Sequence, residues 1–253
     1  MAHPTVAVLE YHIAVYRRSW RETVFSSFAV PILLFVGIGT AIGGYVDGDT
    51  GLGMSYVDYI APGMLAFAGM QVAMTESGYQ VQSYMAWDRI YHGMAAAPPR
   101  VADIIAGQLV YLSLRVLLAA AAFLVVMVPL GAAGSLTAVL APFVAVLVGL
   151  AVATPMFAYS ASVTGPYLMA VIRFCMLPMV FFSGVFFPVD QLAWFVRPVA
   201  YPLPLWHGVE LCRAATSGVA PAWPVAAHVA VLAAWFGVGL VFALRRFARG
   251  LSS

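Results

Sequence analysis

Long apolar runs, broken by a few short polar stretches, set the pattern of this chain. A membrane-crossing helix needs about 20 predominantly apolar residues. Six segments meet that length, near Phe25–Gly43, Val57–Gln82, Ile104–Leu130, Val139–Ser162, Tyr167–Phe187 and Pro224–Leu244. Prolines inside them (Pro31, Pro62, Pro142, Pro155, Pro178) are compatible with helix, because neighbouring helices satisfy the freed backbone groups. Ahead of the first run, Leu9, Ile13, Tyr16 and Trp20 recur every three or four residues, while Arg17, Arg18 and Arg21 fall largely elsewhere on the wheel. This predicts a helix lying in the membrane interface over residues 1–23; a start of span one reaching into water is the other reading. Residues 83–103 hold Asp88, Arg89, Arg100 and Asp103 around a small-residue run, which predicts a short helix ended by Pro98-Pro99. It reads as a docking element or, more simply, as a connector. Residues 188–222 are too polar and proline-broken to span, yet rich in Trp194, Phe195, Tyr201, Trp206 and Leu211. They predict a pair of short helices dipping into the outer leaflet, or a loop resting on it.

Composition narrows the class to an all-α integral membrane protein. Hydrophobic residues make up 63% of the chain and charged residues 9%, against roughly a quarter charged in soluble domains. The 253 residues form one membrane domain, with no room for a separate soluble domain of ordinary size. A net charge of +2 is too weak to imply a nucleic-acid partner. All twelve basic residues are arginine, and their placement sets the topology. With a cytoplasmic N-terminus, Arg17, Arg18, Arg21, Arg89, Arg100, Arg245, Arg246 and Arg249 lie inside and only Arg197 and Arg213 outside. The expectation is a multi-pass protein of the cytoplasmic (inner) membrane with both termini cytoplasmic. The N-terminus does not read as a signal peptide, since its arginines come late and further spans follow. The two cysteines, Cys175 in an apolar run and Cys212 in a loop, make neither a disulfide framework nor a metal set.

Candidate chemistry is sparse. A P-loop needs a lysine to reach the phosphates, and the chain has none; it does not use ATP that way alone. No cofactor or metal is expected on this chain. Asp47-Gly48-Asp49 reads as an acidic turn rather than a metal–nucleotide site. Ionisable residues within spans are costly and are functional candidates by default. Glu76 lies in the inner half of span two and Arg115 near the middle of span three. At about 1.5 Å rise per residue the two reach comparable depth, so an ion pair is feasible. It would line a substrate path, act as a conformational switch, or fix helix packing. Arg173 reads as snorkelling to the inner interface, His228 as a hydrogen-bonded packing residue and His207 as a structural cap. Gly37, Gly39, Gly43 and Gly44 suit close helix packing.

Several stretches resemble a known family. Tyr59-Ile60-Ala61-Pro62-Gly63-Met64, then Met70 and Glu76-Ser77-Gly78-Tyr79, are similar to the permease subunits of ABC type-2 exporters. The branch is that of the nodulation-factor (NodJ-like) and daunorubicin-resistance (DrrB-like) permeases. Asp88-Arg89, Ala97-Pro98-Pro99 and Gly107-Gln108-Leu109 resemble its loop between spans two and three. Phe182-Ser183-Gly184-Val185-Phe186-Phe187-Pro188, then Leu203-Pro204-Leu205-Trp206-His207, resemble its signature after span five. The likeness runs along nearly the whole chain, although Tyr91-His92-Gly93-Met94 and Trp206 depart from the usual pattern. It implies the six-helix fold of G-subfamily exporters. The N-terminal stretch would be the connecting helix, Met85–Pro99 the coupling helix and residues 188–222 an outer re-entrant hairpin. It further implies a second permease copy and two copies of a separate ATPase subunit that hold ATP and Mg. Asp88, Arg89 and Arg100 would contact that ATPase. Spans two and five would line the path, making Phe67, Met70, Met74 and Phe174 candidates beside Glu76 and Arg115. The implied function is ATP-driven export of an amphipathic small molecule or lipid-linked compound from the cytoplasm or inner leaflet. Export of a glycolipid or polysaccharide is an alternative, and a membrane-embedded lipid-modifying enzyme a more distant one. The chain would be no enzyme by itself.

Overall fold

The computed structural model describes residues 4–46, 54–95, 100–163 and 167–251. Among them the regular structure is entirely helical. The expected acidic turn at Asp47 and Asp49 and the Pro98-Pro99 helix stop lie outside the described residues.

Helix α1 runs unbroken from Pro4 to Val46, about 64 Å at 1.5 Å per residue. The surface stretch and span one, set apart in the sequence, are thus parts of one helical element, and Pro31 does not break it. Within its first turns the buried side chains are Val8 and His12, while Ile13 stays exposed. The face that packs inward is therefore centred on Val8 and His12 rather than on the apolar stripe, of which Leu9 and Tyr16 are half-buried.

Helix α2 (Tyr56–Thr75) begins at Ser55, whose hydroxyl oxygen accepts the Asp58 N–H. Its interior is apolar on nearly every side, as a helix enclosed by others must be, and most of its residues are buried. Beyond Thr75 it continues as two π-helical turns, Glu76–Gln80 and Ser83–Trp87. The short helix α3 (Ile90–Ala95) follows a turn at Asp88 and Arg89, then α4 (Val101–Met127) and α5 (Ala141–Ser160). Helix α6 (Tyr167–Phe182) is followed by α7 (Arg197–Ala200), α8 (Pro204–Ser217) and α9 (Val225–Leu251).

Four helical runs among the described residues are long and apolar enough to cross a bilayer: Tyr56–Met85, Val101–Leu130, Leu136–Ser160 and Val225–Leu251. They coincide with expected spans two, three, four and six. Helix α6 is shorter, about 24 Å at 1.5 Å per residue. It stops at Phe182, and Gly184 with φ 74° then turns the chain, so expected span five, drawn to Phe187, loses its last turn. The predicted short helices of residues 188–222 are present as α7 and α8. Cys212, expected in a loop, is buried on α8 with its thiol toward the Ala141 carbonyl.

Helix α5 is the hub, packing against α2, α4, α8 and α9. Close approaches rest on small residues, as the membrane setting requires. A Cβ at Gly69 would lie 2.9 Å from Ala145 Cβ, and one at Gly239 would lie 2.5 Å from the Pro155 ring. Gly37, expected to serve such a contact, has nothing within 4 Å of where its Cβ would be. Gly39 makes only ordinary contact with Val57 and Ile60. Composition alone therefore misdirects at Gly37, where no neighbour is close enough to require a glycine.

Candidate functional site

The π-helical continuation of α2 brings the polar side chains of Glu76, Ser77 and Gln82 into the buried interior. A π turn widens the helix, and such turns are frequent at functional sites. Glu76, Gln80 and Tyr84 follow at four-residue spacing along this segment and meet Gln108, Tyr111 and Arg115 of α4. Arg115 Nη1 sits 2.9 Å from Glu76 Oε1, with both side chains more than nine-tenths buried. The same nitrogen donates to Tyr111 Oη at 3.1 Å. The Tyr16 ring of α1 lies 4.5 Å from the guanidinium carbon, a cation–π contact. Taking two charges from water is expensive, and such a pair persists only when further hydrogen bonds satisfy it.

Beside this pair a separate run of hydrogen bonds leads to the loop helix α3. Gln80 Nε2 donates to Tyr84 Oη at 3.2 Å, Gln108 Nε2 to Gln80 Oε1 at 3.2 Å, and Tyr91 Oη to Gln108 Oε1 at 3.3 Å. Tyr91, the anchor of α3, is fully buried. It packs against Tyr84 at 5.5 Å and Phe247 of α9 at 5.6 Å between centroids. Burial holds its phenol well above the ordinary tyrosine value, with the neighbouring Tyr84, Tyr11 and Glu76 adding to the shift, so it remains a neutral donor. Helix α1 closes the cluster. His12 is buried and stacks on Tyr84 at 5.8 Å and on Tyr111 at 5.1 Å. Thr5 donates to the Asp103 carboxylate at the start of α4 at 3.2 Å.

Among the candidates from sequence, Glu76 and Arg115 meet as their depths suggested. Phe67, Met70 and Met74 are buried in the core, and Met74 also lines an apolar cleft of about 270 Å³ between α2, α5, α6 and α8. Phe174 stands apart on the outward face of α6, 77% exposed. Asp88, Arg89 and Arg100 are all exposed at the loop. Asp88 accepts from the Ser83 hydroxyl, and Arg89 takes a left-handed φ of 51°. The Arg100 N–H donates to Asp103 at 3.0 Å, starting α4. Arg173 is exposed on α6. The reading of single residues missed Gln80, Tyr84, Tyr91, Gln108 and His12. The signal for three of them was present: amides and hydroxyls at four- and three-residue spacing from Glu76 and Arg115 share a helical face.

A second polar cluster closes the opposite end. Arg213 of α8 bonds Glu210 Oε1 at 2.8 Å and the Gly184 carbonyl at 2.9 Å, and its guanidinium lies 4.1 Å from the Tyr59 ring centroid. Tyr59 Oη also donates to the Gly184 carbonyl, at 3.2 Å. Beside it His207 Nε2 is 2.8 Å from the Tyr201 carbonyl and so carries the proton. In a neutral imidazole the other nitrogen is then an acceptor, taking the proton of His228 Nδ1 at 2.8 Å. The expected cap and the expected packing histidine thus bond to each other and fasten α8 to α9. Trp206 and Trp223 pack around them.

Residues 4–216 match the family described as ABC-2 type transporter. The chain is 32% identical over 228 residues to nodulation protein J of Rhizobium leguminosarum bv. trifolii, covering 87% of this chain and 86% of that one. It is 30% identical over 228 residues to nodulation protein J of Sinorhizobium fredii, with 87% and 86% covered. To the protein of the same name from Bradyrhizobium diazoefficiens it is 31% identical over 211 residues, with 79% of each covered.

Proposed function

This chain belongs to the ABC-2 type transporter family, and on that premise we propose that it is the permease subunit of an ATP-driven exporter. It is a membrane-embedded, multi-pass component, and members of this family are transporter subunits rather than enzymes by themselves. With no lysine in the sequence, the P-loop must sit on a partner. That partner is an ABC ATPase, in two copies beside two permease copies, in the inner membrane with the permease termini cytoplasmic. The cargo is an amphipathic small molecule or lipid-linked compound leaving the cytoplasm or inner leaflet.

The observation that carries this reading is the hydrogen-bonded run from Tyr91 of α3 through Gln108 and Gln80 of the spans, ending beside the Glu76–Arg115 pair. A partner pressing on the exposed Asp88–Arg89 turn would move α3, and with it the buried Tyr91. Packed polar networks have discrete arrangements rather than soft ones, so the shift is passed to the π-helical turns of α2. The test is reconstitution with its ATPase in proteoliposomes, reading ATP hydrolysis and export of a fluorescent amphiphile together. Tyr91→Phe should leave assembly and hydrolysis intact while export per ATP falls. Failure of the purified chain to bind any ABC ATPase would defeat the exporter reading outright.

A further inference from the structure

A trough runs down the outward side of the α5–α9 seam. Its volume is about 450 Å³, and Pro155, Val238 and Phe242 are among its apolar walls. Its floor at Trp235 is fixed by the indole N–H, which donates to the Pro202 carbonyl at 2.9 Å. The other end changes character: there Tyr159, Ser162 and Arg246 line it. No acidic residue lines the trough, and among the described residues Arg246 has no ion pair. From Trp235 to Arg246 the helix rises about 16 Å, close to half of the roughly 30 Å hydrocarbon thickness. The Ser162 hydroxyl gives its proton to the Ala158 carbonyl at 2.7 Å, so an apolar channel one leaflet deep, capped by a guanidinium and the Tyr159 phenol, matches an amphiphile with an anionic head.

We infer that this trough is a binding site for one anionic phospholipid of the leaflet that Arg246 faces. The acyl chain lies along Val238 and Phe242 and ends at Trp235, and the phosphate takes Arg246 with Tyr159. Basic pockets between spanning helices on that side of a membrane hold acidic head groups in this way. The lipid lies along the seam of α5 and α9, which are already packed through Gly239 against Pro155 and tied by the Thr154 hydroxyl donating to the Phe236 carbonyl at 3.1 Å. This site is independent of the exporter reading.

Native mass spectrometry of the delipidated, purified permease tests it, with phosphatidylglycerol and phosphatidylcholine of the same chains as probes and inorganic phosphate as competitor. The expected result is one retained phosphatidylglycerol per chain, in preference to phosphatidylcholine. Arg246→Gln weakens retention about fivefold, since one arginine near the surface contributes about that factor. Arg246→Lys keeps most of it, and Arg245→Gln, which removes the same net charge, leaves it unchanged. Val238→Trp, at a position 59% exposed, fills the trough and excludes the lipid. Equal effects of Arg246→Gln and Arg245→Gln, or equal retention of both lipids, would overturn the site. So would displacement by millimolar phosphate, which would mark a plain anion site. Loss of dimers in Val238→Trp without loss of lipid would make the trough a seam between copies instead.

Discussion

Removing one member of the Glu76–Arg115 pair should damage this protein more than removing both. The carboxylate and guanidinium are 2.9 Å apart, with side chains 9% and 7% exposed. Glu76→Leu leaves a guanidinium in an apolar surround, with the Tyr111 hydroxyl and the Tyr16 ring among its remaining contacts. Breaking a buried pair from one side costs about 3–5 kcal/mol. In a membrane the unfolded chain also finds polar partners, which reduces such costs, so about 3 kcal/mol is the expected loss. Arg115→Met should cost a similar amount. Replacing both by apolar residues of similar volume is often neutral or better, so Glu76→Leu with Arg115→Met should recover to within about 1 kcal/mol of the parent. Reversible denaturation in mixed micelles measures all four proteins, and the double-mutant cycle gives the coupling. Single losses below about 1 kcal/mol, or a double loss equal to the sum of the singles, would refute the buried-pair account. Export by the stable double variant then separates the two roles: activity retained means the pair only holds helices, activity lost means that it takes part in transport.

Other outcomes follow from particular contacts. Gly239→Ala should destabilise by about 1–3 kcal/mol, because the new methyl meets the rigid Pro155 ring and nitrogen; the same denaturation assay reads it. His207→Phe strands the His228 Nδ1–H and should cost about 1–3 kcal/mol, seen as easier proteolysis of residues 188–222. Burial, reinforced by His228, holds the His207 pKa below its ordinary 6.5, against the opposing pull of the Tyr201 carbonyl and Glu210. The unfolded chain therefore binds the proton more readily, and stability should fall as pH drops below 6.5; His207→Asn should flatten that slope. Arg89→Gly relieves a left-handed residue and should raise stability by up to about 1 kcal/mol. A simultaneous drop in ATPase binding would place the Arg89 side chain at the partner.

Four of the six expected spans were legible because lipid demands long apolar stretches, and Glu76 and Arg115 because charge stands out inside them. Rise per residue was enough to bring those two to one depth. The rest of the cluster was harder to see. Gln80, Gln108, Tyr84 and Tyr91 carry no charge and blend with ordinary span composition. His12 became visible only when α1 turned Val8 and His12, rather than Leu9 and Ile13, toward α4. Arginines at 17, 18 and 21 argued for a separate surface helix, yet they do not interrupt backbone hydrogen bonding, so α1 continues through them. The glycines of span one looked like a packing stripe, but a Cβ added at Gly37 would meet nothing within 4 Å, so that position does not require a glycine for close packing. Gly69, Gly208 and Gly239 hold that role because α5 threads between α2, α8 and α9, a fact of topology rather than of local pattern.

The π-helical turns at Glu76–Gln80 and Ser83–Trp87 also store slack in the winding of α2. An ordinary helical turn has no residue to spare, whereas a π turn holds one extra. Tightening one of them to α would turn everything beyond it by about 100°, with no need to slide the helix lengthwise. Such a twist would carry Gln80 and Tyr84 off the face shared with Gln108 while the N-terminal part of α2 kept its seat. The register that holds Gln80 and Tyr84 against α4 is thus set by a single surplus residue in the winding of α2.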